Sequence, residues 1–162
     1  MSTDNRRDRR PEELHYNTVK TAPKKGGFVS TIYTARKALR HLVEIKDIVQ
    51  EGTRHAKAHV SIPQALEWLL DNWYIAEREG KCAVEDLKRQ GRLPRAGEDG
   101  TTLFVLYAAH EYLDTQNDAV DADSLEAFLD AFQNETVLSE AELASMIPAV
   151  RIALVERLLD AS

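Results

Sequence analysis

The chain has 162 residues, of which 43% are apolar and 30% charged, and its formal net charge is −6. With 7 glycines, 5 prolines and 1 cysteine, this composition excludes a collagen-like, low-complexity or disulfide-built protein. There is no apolar run of membrane-spanning length and no apolar stretch behind the N-terminal arginines, so the sequence predicts a cytoplasmic protein.

Charge is divided unevenly along the chain. Residues 1–95 hold 19 Lys and Arg against 13 Asp and Glu, whereas residues 96–162 hold 2 against 14. A basic half can indicate nucleic-acid binding. Here the basic residues alternate with acidic ones, which leaves no continuous track for a phosphate backbone. We therefore expect the two halves to attract each other or to form different surfaces of a larger protein, and we do not expect a nucleic-acid partner.

A polar basic tail is predicted at residues 1–27, disordered or extended because it has little apolar surface to bury. Helical spacing of apolar residues then predicts a helix over residues 30–51, stopped by Gly52. A longer helix is predicted over residues 61–90, with a packing stripe repeating every seven residues. Gly80 lies in that stripe and is expected to let another helix come close.

The second half is predicted to begin with a loop at residues 91–100, which hold three glycines and a proline. Two helices follow at residues 102–114 and 122–133, the latter capped by Asp121 or Asp123. A last helix begins with a capping box at Ser139, and Pro148 is expected to kink it or to shift its start.

These elements predict an all-α fold of about five helices in antiparallel hairpins. Residues 28–162 form one helical domain in this interpretation, with sub-halves 28–90 and 101–162 joined by the loop 91–100. No segment shows the alternating pattern of a half-buried strand.

Patterns that would indicate catalysis or metal binding are weak. His55 and His59 are four residues apart, which is half of a helical metal site, but no third ligand is near in the sequence. The acidic stretch 114–123 differs from a calcium loop, with Ala119 where glycine is required and Leu125 where a bidentate glutamate is required. We therefore assign no catalytic residue, no metal and no cofactor, and we do not expect this chain alone to be an enzyme.

Two stretches resemble a known family. Residues 62–79 read IPQALEWLLDNWYIAERE, and residues 106–156 end in a proline-interrupted helix with the pattern Arg-x-x-Leu-x-Glu. In this order they are similar to the N-terminal region of the cyclic β-1,2-glucan synthases, which are large bacterial membrane enzymes. The resemblance implies an association with β-1,2-glucan synthesis from UDP-glucose. It carries over no catalytic residue, because the family's catalytic regions lie outside the matching stretches.

The first of these stretches supplies the candidate binding residues. Trp73 belongs to the packing stripe, whereas Trp68 and Tyr74 lie elsewhere on the helix and are candidates to pack a neighbouring domain or to stack on a sugar ring. Asp71 and Asn72 are expected to bond the backbone of an adjoining loop. Packing is the role that we favour for all five.

The sequence therefore predicts a non-catalytic helical domain that acts as a scaffold or docking surface. Its expected partners are other domains of a larger glucan synthase or a separate protein. The alternative is a stand-alone helical module that binds protein through its acidic C-terminal half, with nucleic acid as a weaker partner of the basic tail. Membrane association is expected only through a parent protein.

Overall fold

A computed structural model describes residues 22–162, and its fold is helical as predicted. Residues 1–21, most of the predicted tail, lie outside the described residues. The elements in chain order are β1 (Lys25–Ser30), α1 (Ile32–Lys57), α2 (Gln64–Arg89), β2 (Arg92–Ala96), α3 (Phe104–Thr115), α4 (Ala122–Gln133), α5 (Glu140–Ala144) and α6 (Met146–Ala161).

Helices α1 and α2 form the predicted antiparallel hairpin. The prediction that Gly52 stops the first helix was wrong, because α1 continues to Lys57. Gly52 is instead buried against α2, where an added Cβ atom would lie 3.0 Å from a methyl carbon of Leu66. The glycine thus lets the two helices approach closely and does not end α1.

Gly80 has the role that its place in the packing stripe predicted. It is buried in α2, and an added Cβ atom would lie 2.9 Å from a methyl carbon of Leu42 in α1 and 3.3 Å from one of Val155 in α6. Three helices therefore meet at a position where α2 has no side chain. This contact brings the C-terminal helix α6 against the α1–α2 hairpin, and it determines how α2 and α6 lie beside each other.

The two short strands were missed by the sequence analysis. Residues 25–27, predicted as the end of the tail, begin β1, and residues 92–96, predicted as loop, form β2. The strands pair antiparallel with Val29 opposite Leu93, and Leu93 is buried. Both segments are short. Two glycines lie in β1 and a proline lies in β2, so the local sequence of each resembles that of a loop. The pairing partner lies more than 60 residues away and gives no local signal.

The C-terminal helix begins later than predicted, and Pro148 explains why. The capping box at Ser139 and Glu142 is present, but the helix that it starts, α5, ends at Ala144. A new helix, α6, begins at Met146. Pro148 then falls in the first turn of α6, where a backbone N–H has no partner within the helix. Of the two predicted effects of Pro148, the shifted start is the one observed.

Helix α4 has the predicted bounds and the predicted cap. The Asp121 side chain accepts a hydrogen bond from the Ser124 backbone N–H at 2.8 Å. The aromatic rings of α4 contact α3, with Phe128 on Tyr112 at 5.5 Å and Phe132 on Phe104 at 5.9 Å between ring centroids. No residue of α4 is fully buried, so this helix lies on the outside of the core.

Candidate functional site

An apolar groove with a volume of about 310 Å³ lies between α2 and α6. We call it the α2–α6 groove. Gly80 and Val155 line it, and a Cβ atom added to Gly80 would lie 3.3 Å from a methyl carbon of Val155. Its apolar walls are Trp68 and Ile75 from α2, and Leu154 and Leu158 from α6.

Polar groups at the groove are bonded to the protein itself. Arg151 of α6 lies 3.3 Å from the Glu79 carboxylate of α2, and this ion pair connects the two walls. The Asn72 amide nitrogen donates a hydrogen bond of 2.8 Å to the Trp68 backbone carbonyl. The groove therefore presents mainly apolar surface with a charged pair at one place, a composition suited to side chains of a protein partner.

Two of the five predicted site residues line this groove. Trp68 is 59% exposed, although it is one of the largest apolar side chains of the protein. Asn72 lies one helical turn beyond it on the same face. The predicted hydrogen bond from Asn72 to an adjoining loop was wrong, because its amide donates within its own helix. Intrahelical bonding leaves the side chain on the surface of the groove.

The other three predicted residues lie elsewhere. Trp73 is partly buried and packs against the cluster of Leu42, Ile45 and Val155, in agreement with its place in the packing stripe. Tyr74 is 66% exposed and does not line the groove. Asp71 is also exposed and lies outside the groove lining.

The residues that form the rest of the groove around Trp68 were not predicted from the sequence. Ile75 and Glu79 follow Trp68 and Asn72 at helical spacing on α2, and Arg151, Leu154 and Leu158 follow each other in the same way on α6. A second apolar stripe beside the buried stripe of α2 was the signal that could have indicated a surface groove.

A charged cluster joins α3 to α6 away from the groove. His110 and Glu156 are 2.6 Å apart, and Lys37 of α1 lies 3.8 Å from the same carboxylate. Burial raises the pKa of Glu156, but the His110 hydrogen bond and the charges of His110, Lys37 and His41 outweigh it, so the pKa lies below its ordinary value of 4.5. The cluster holds α6 against α3 and α1, and its polar groups face one another.

This lowered pKa predicts a loss of stability in acid. A depressed folded-state pKa contributes stability that is present above about pH 4.5 and is lost as the pH falls through the folded value. We expect Glu156→Gln to reduce the slope of unfolding free energy against pH below about 4.5, measured by urea melts. Glu44→Gln, at an exposed site on α1, is the control and should leave the slope unchanged. Equal slopes for wild type and Glu156→Gln would contradict the prediction.

The other polar patterns have structural partners. Asp114 and Asp118 both bind Arg157 at 2.6 Å, so the acidic stretch 114–123, which begins in the last turn of α3, is bonded to α6. His55 lies 3.2 Å from Glu51 in the last turns of α1, and His59 lies beyond the end of that helix. Among residues 22–162, no group of three or more His, Cys, Asp or Glu side chains is placed to hold a metal ion.

None of the helices formed by residues 22–162 is both long and apolar enough to cross a bilayer.

Comparison with known proteins gives one distant relative. The chain is 29% identical over 123 residues to the cyclic β-(1,2)-glucan synthase NdvB of Rhizobium meliloti, a match that covers 71% of this chain and 4% of the relative. The chain therefore corresponds to a small part of that protein's length. No family model matches the chain. No solved structure matches it either.

Proposed function

We propose that this chain is a non-catalytic helical domain of the β-1,2-glucan synthesis machinery, and that the α2–α6 groove is its docking surface for another part of that machinery. The distant similarity to a cyclic β-(1,2)-glucan synthase supports the association with glucan synthesis. The observation that carries the docking role is the convergence of the two family-like stretches. Trp68 comes from residues 62–79 and Leu154 from residues 106–156, and both line this one groove.

The chemistry of the groove favours docking over catalysis. Its walls are aliphatic and aromatic, and its charged groups, Glu79 and Arg151, are paired with each other. Large aromatic side chains that stay exposed beside an apolar groove are typical anchors of protein interfaces. A sugar ring stacked on Trp68 would require polar partners for its hydroxyl groups, and the groove offers few.

The test is a pair of aromatic substitutions on α2 in the organism that encodes the chain. Trp68→Asp places a charge in the groove, and Tyr74→Asp places the same charge on an equally exposed aromatic position outside it. Glucose incorporation from UDP-glucose into β-1,2-glucan is then measured in membranes containing equal amounts of each variant. We expect Trp68→Asp to reduce incorporation at least about tenfold, as for loss of an interface anchor, and Tyr74→Asp to leave it unchanged.

Deletion of the coding region is the complementary experiment. If the deletion strain makes β-1,2-glucan at the wild-type rate, the association with glucan synthesis is wrong. If both aspartate variants reduce incorporation equally, the groove is not the docking surface. Glucosyl transfer by the purified chain alone would overturn its assignment as non-catalytic.

A further inference from the structure

Helix α4 presents a second surface, unrelated to the α2–α6 groove. Its apolar stripe contacts α3 through Phe128 and Phe132, yet each residue of the stripe remains partly exposed. Exposed valines flank the helix in the chain, with Val120 47% exposed before it and Val137 73% exposed after it. The side chains of the stripe pack against the core, and their partial exposure leaves some apolar area available beside α3.

The chain segment that contains α4 carries charge of one sign. Residues 96–150 contain 12 Asp and Glu and no Lys or Arg. Some acidic side chains of this half pair with distant basic residues, as Asp114 and Asp118 do with Arg157. On α4, Asp123, Glu126 and Asp130 are exposed to solvent. The helix thus combines a partly exposed apolar stripe with an acidic rim.

We propose that the exposed side of α4 binds a basic amphipathic helix of a protein partner. Leucine-like side chains of the partner would cover the remaining area of Leu125, Leu129 and Phe132, and its lysines and arginines would meet Glu126 and Asp130. The 12 residues of α4 extend about 18 Å, which matches three turns of a partner helix. The acidic rim repels nucleic acid and anionic lipid surfaces, so the charge favours a basic protein segment.

The test uses a defined probe and the full-length chain. A fluorescein-labelled peptide of about 18 leucines and lysines, arranged as an amphipathic helix, is titrated with the protein while anisotropy is recorded. We expect saturable binding that weakens as salt is added. A peptide of the same composition in scrambled order should bind at least about tenfold more weakly, because it presents no continuous apolar face.

Matched charge reversals separate a specific site from diffuse attraction. Glu126→Lys with Asp130→Lys changes the rim of α4, and Glu44→Lys with Asp47→Lys makes the same change in net charge at exposed positions of α1. The α4 pair should weaken binding about tenfold and the α1 pair less than about twofold. Circular dichroism melts confirm that both variants are folded.

Two outcomes would overturn the proposal. Equal weakening by the α4 and α1 pairs would mean that the peptide senses only net charge. Binding that appears only after residues 1–21 are deleted would mean that the surface serves another part of this chain and not a partner. Neither outcome bears on the α2–α6 groove, which the glucan-incorporation experiment tests separately.

Discussion

Replacing Tyr112 by alanine is expected to lower the free energy of unfolding by about 4 kcal/mol, because it removes a large, fully buried aromatic side chain. Tyr112 lies in α3, packs on Phe128 of α4, and is 0% exposed. Its hydroxyl group lies 2.7 Å from the Ser124 hydroxyl and 3.2 Å from the Asp121 carbonyl oxygen. The substitution therefore creates a cavity in the core and also releases the start of α4. Urea unfolding at neutral pH measures the change.

Two tyrosine variants serve as controls for this prediction. Tyr74→Ala removes the same side chain from an exposed position of α2 and should change stability by less than about 0.5 kcal/mol. Tyr112→Phe keeps the ring and removes the hydroxyl, and it should lower the free energy of unfolding by about 1 kcal/mol. We also expect faster amide exchange in this variant, confined to α4. Equal losses for Tyr112→Ala and Tyr74→Ala would contradict the packing described for α3.

Glu142→Ala is expected to be the second large loss, about 3 kcal/mol, with a melting temperature lower by roughly 10 °C. The Glu142 side chain is fully buried and accepts hydrogen bonds from the Lys25 ammonium group at 2.6 Å and the Ser139 backbone N–H at 2.8 Å. Lys25 is three-quarters buried and also lies over the Phe104 ring, 5.6 Å from its centroid. Removing the carboxylate leaves that ammonium group without its counter-charge.

A double-mutant cycle assigns this loss to the ion pair. Lys25→Met keeps most of the apolar stem and removes the charge, so Glu142→Ala should cost much less in the Lys25→Met background than in the wild type. Glu140→Ala, in the same turn of α5 but exposed, controls for helix propensity. Additive effects of Lys25→Met and Glu142→Ala would show that the pair is not coupled.

Much of the fold could be predicted from sequence because its helices carry local signals. Asp121 at the start of α4 and the Ser139–Glu142 capping box of α5 mark helix starts within a few residues. The fold predictions that were wrong concern features set by contacts between distant parts of the chain. A glycine such as Gly52 commonly ends a helix, but here it provides room for the Leu66 side chain of another helix. Likewise, β1 and β2 are strands only because they pair with each other across more than 60 residues of chain.

The candidate site was less predictable than the fold for a related physical reason. Trp68 could be singled out by residue type, but the groove beside it requires Leu154 and Leu158 from a helix more than 80 residues away. Helical periodicity identifies apolar faces without stating which of them a neighbour covers. For α2, the contact of α1 and α6 at Gly80 determines which apolar face is covered. For α4, the covered face is the one that packs on α3.

The pairing of β1 with β2 has a consequence for the order of folding. Ser30 lies opposite Arg92, and the whole α1–α2 hairpin separates the two strands in the chain. Closing so long a loop before its helices form would cost entropy that a few strand hydrogen bonds cannot offset. Once α1 and α2 have packed antiparallel, the start of α1 and the end of α2 are neighbours, and the strands attached to them meet. We therefore expect the ribbon to form with or after the helical hairpin and to connect the start of α1 to the end of α2 as a late step of folding.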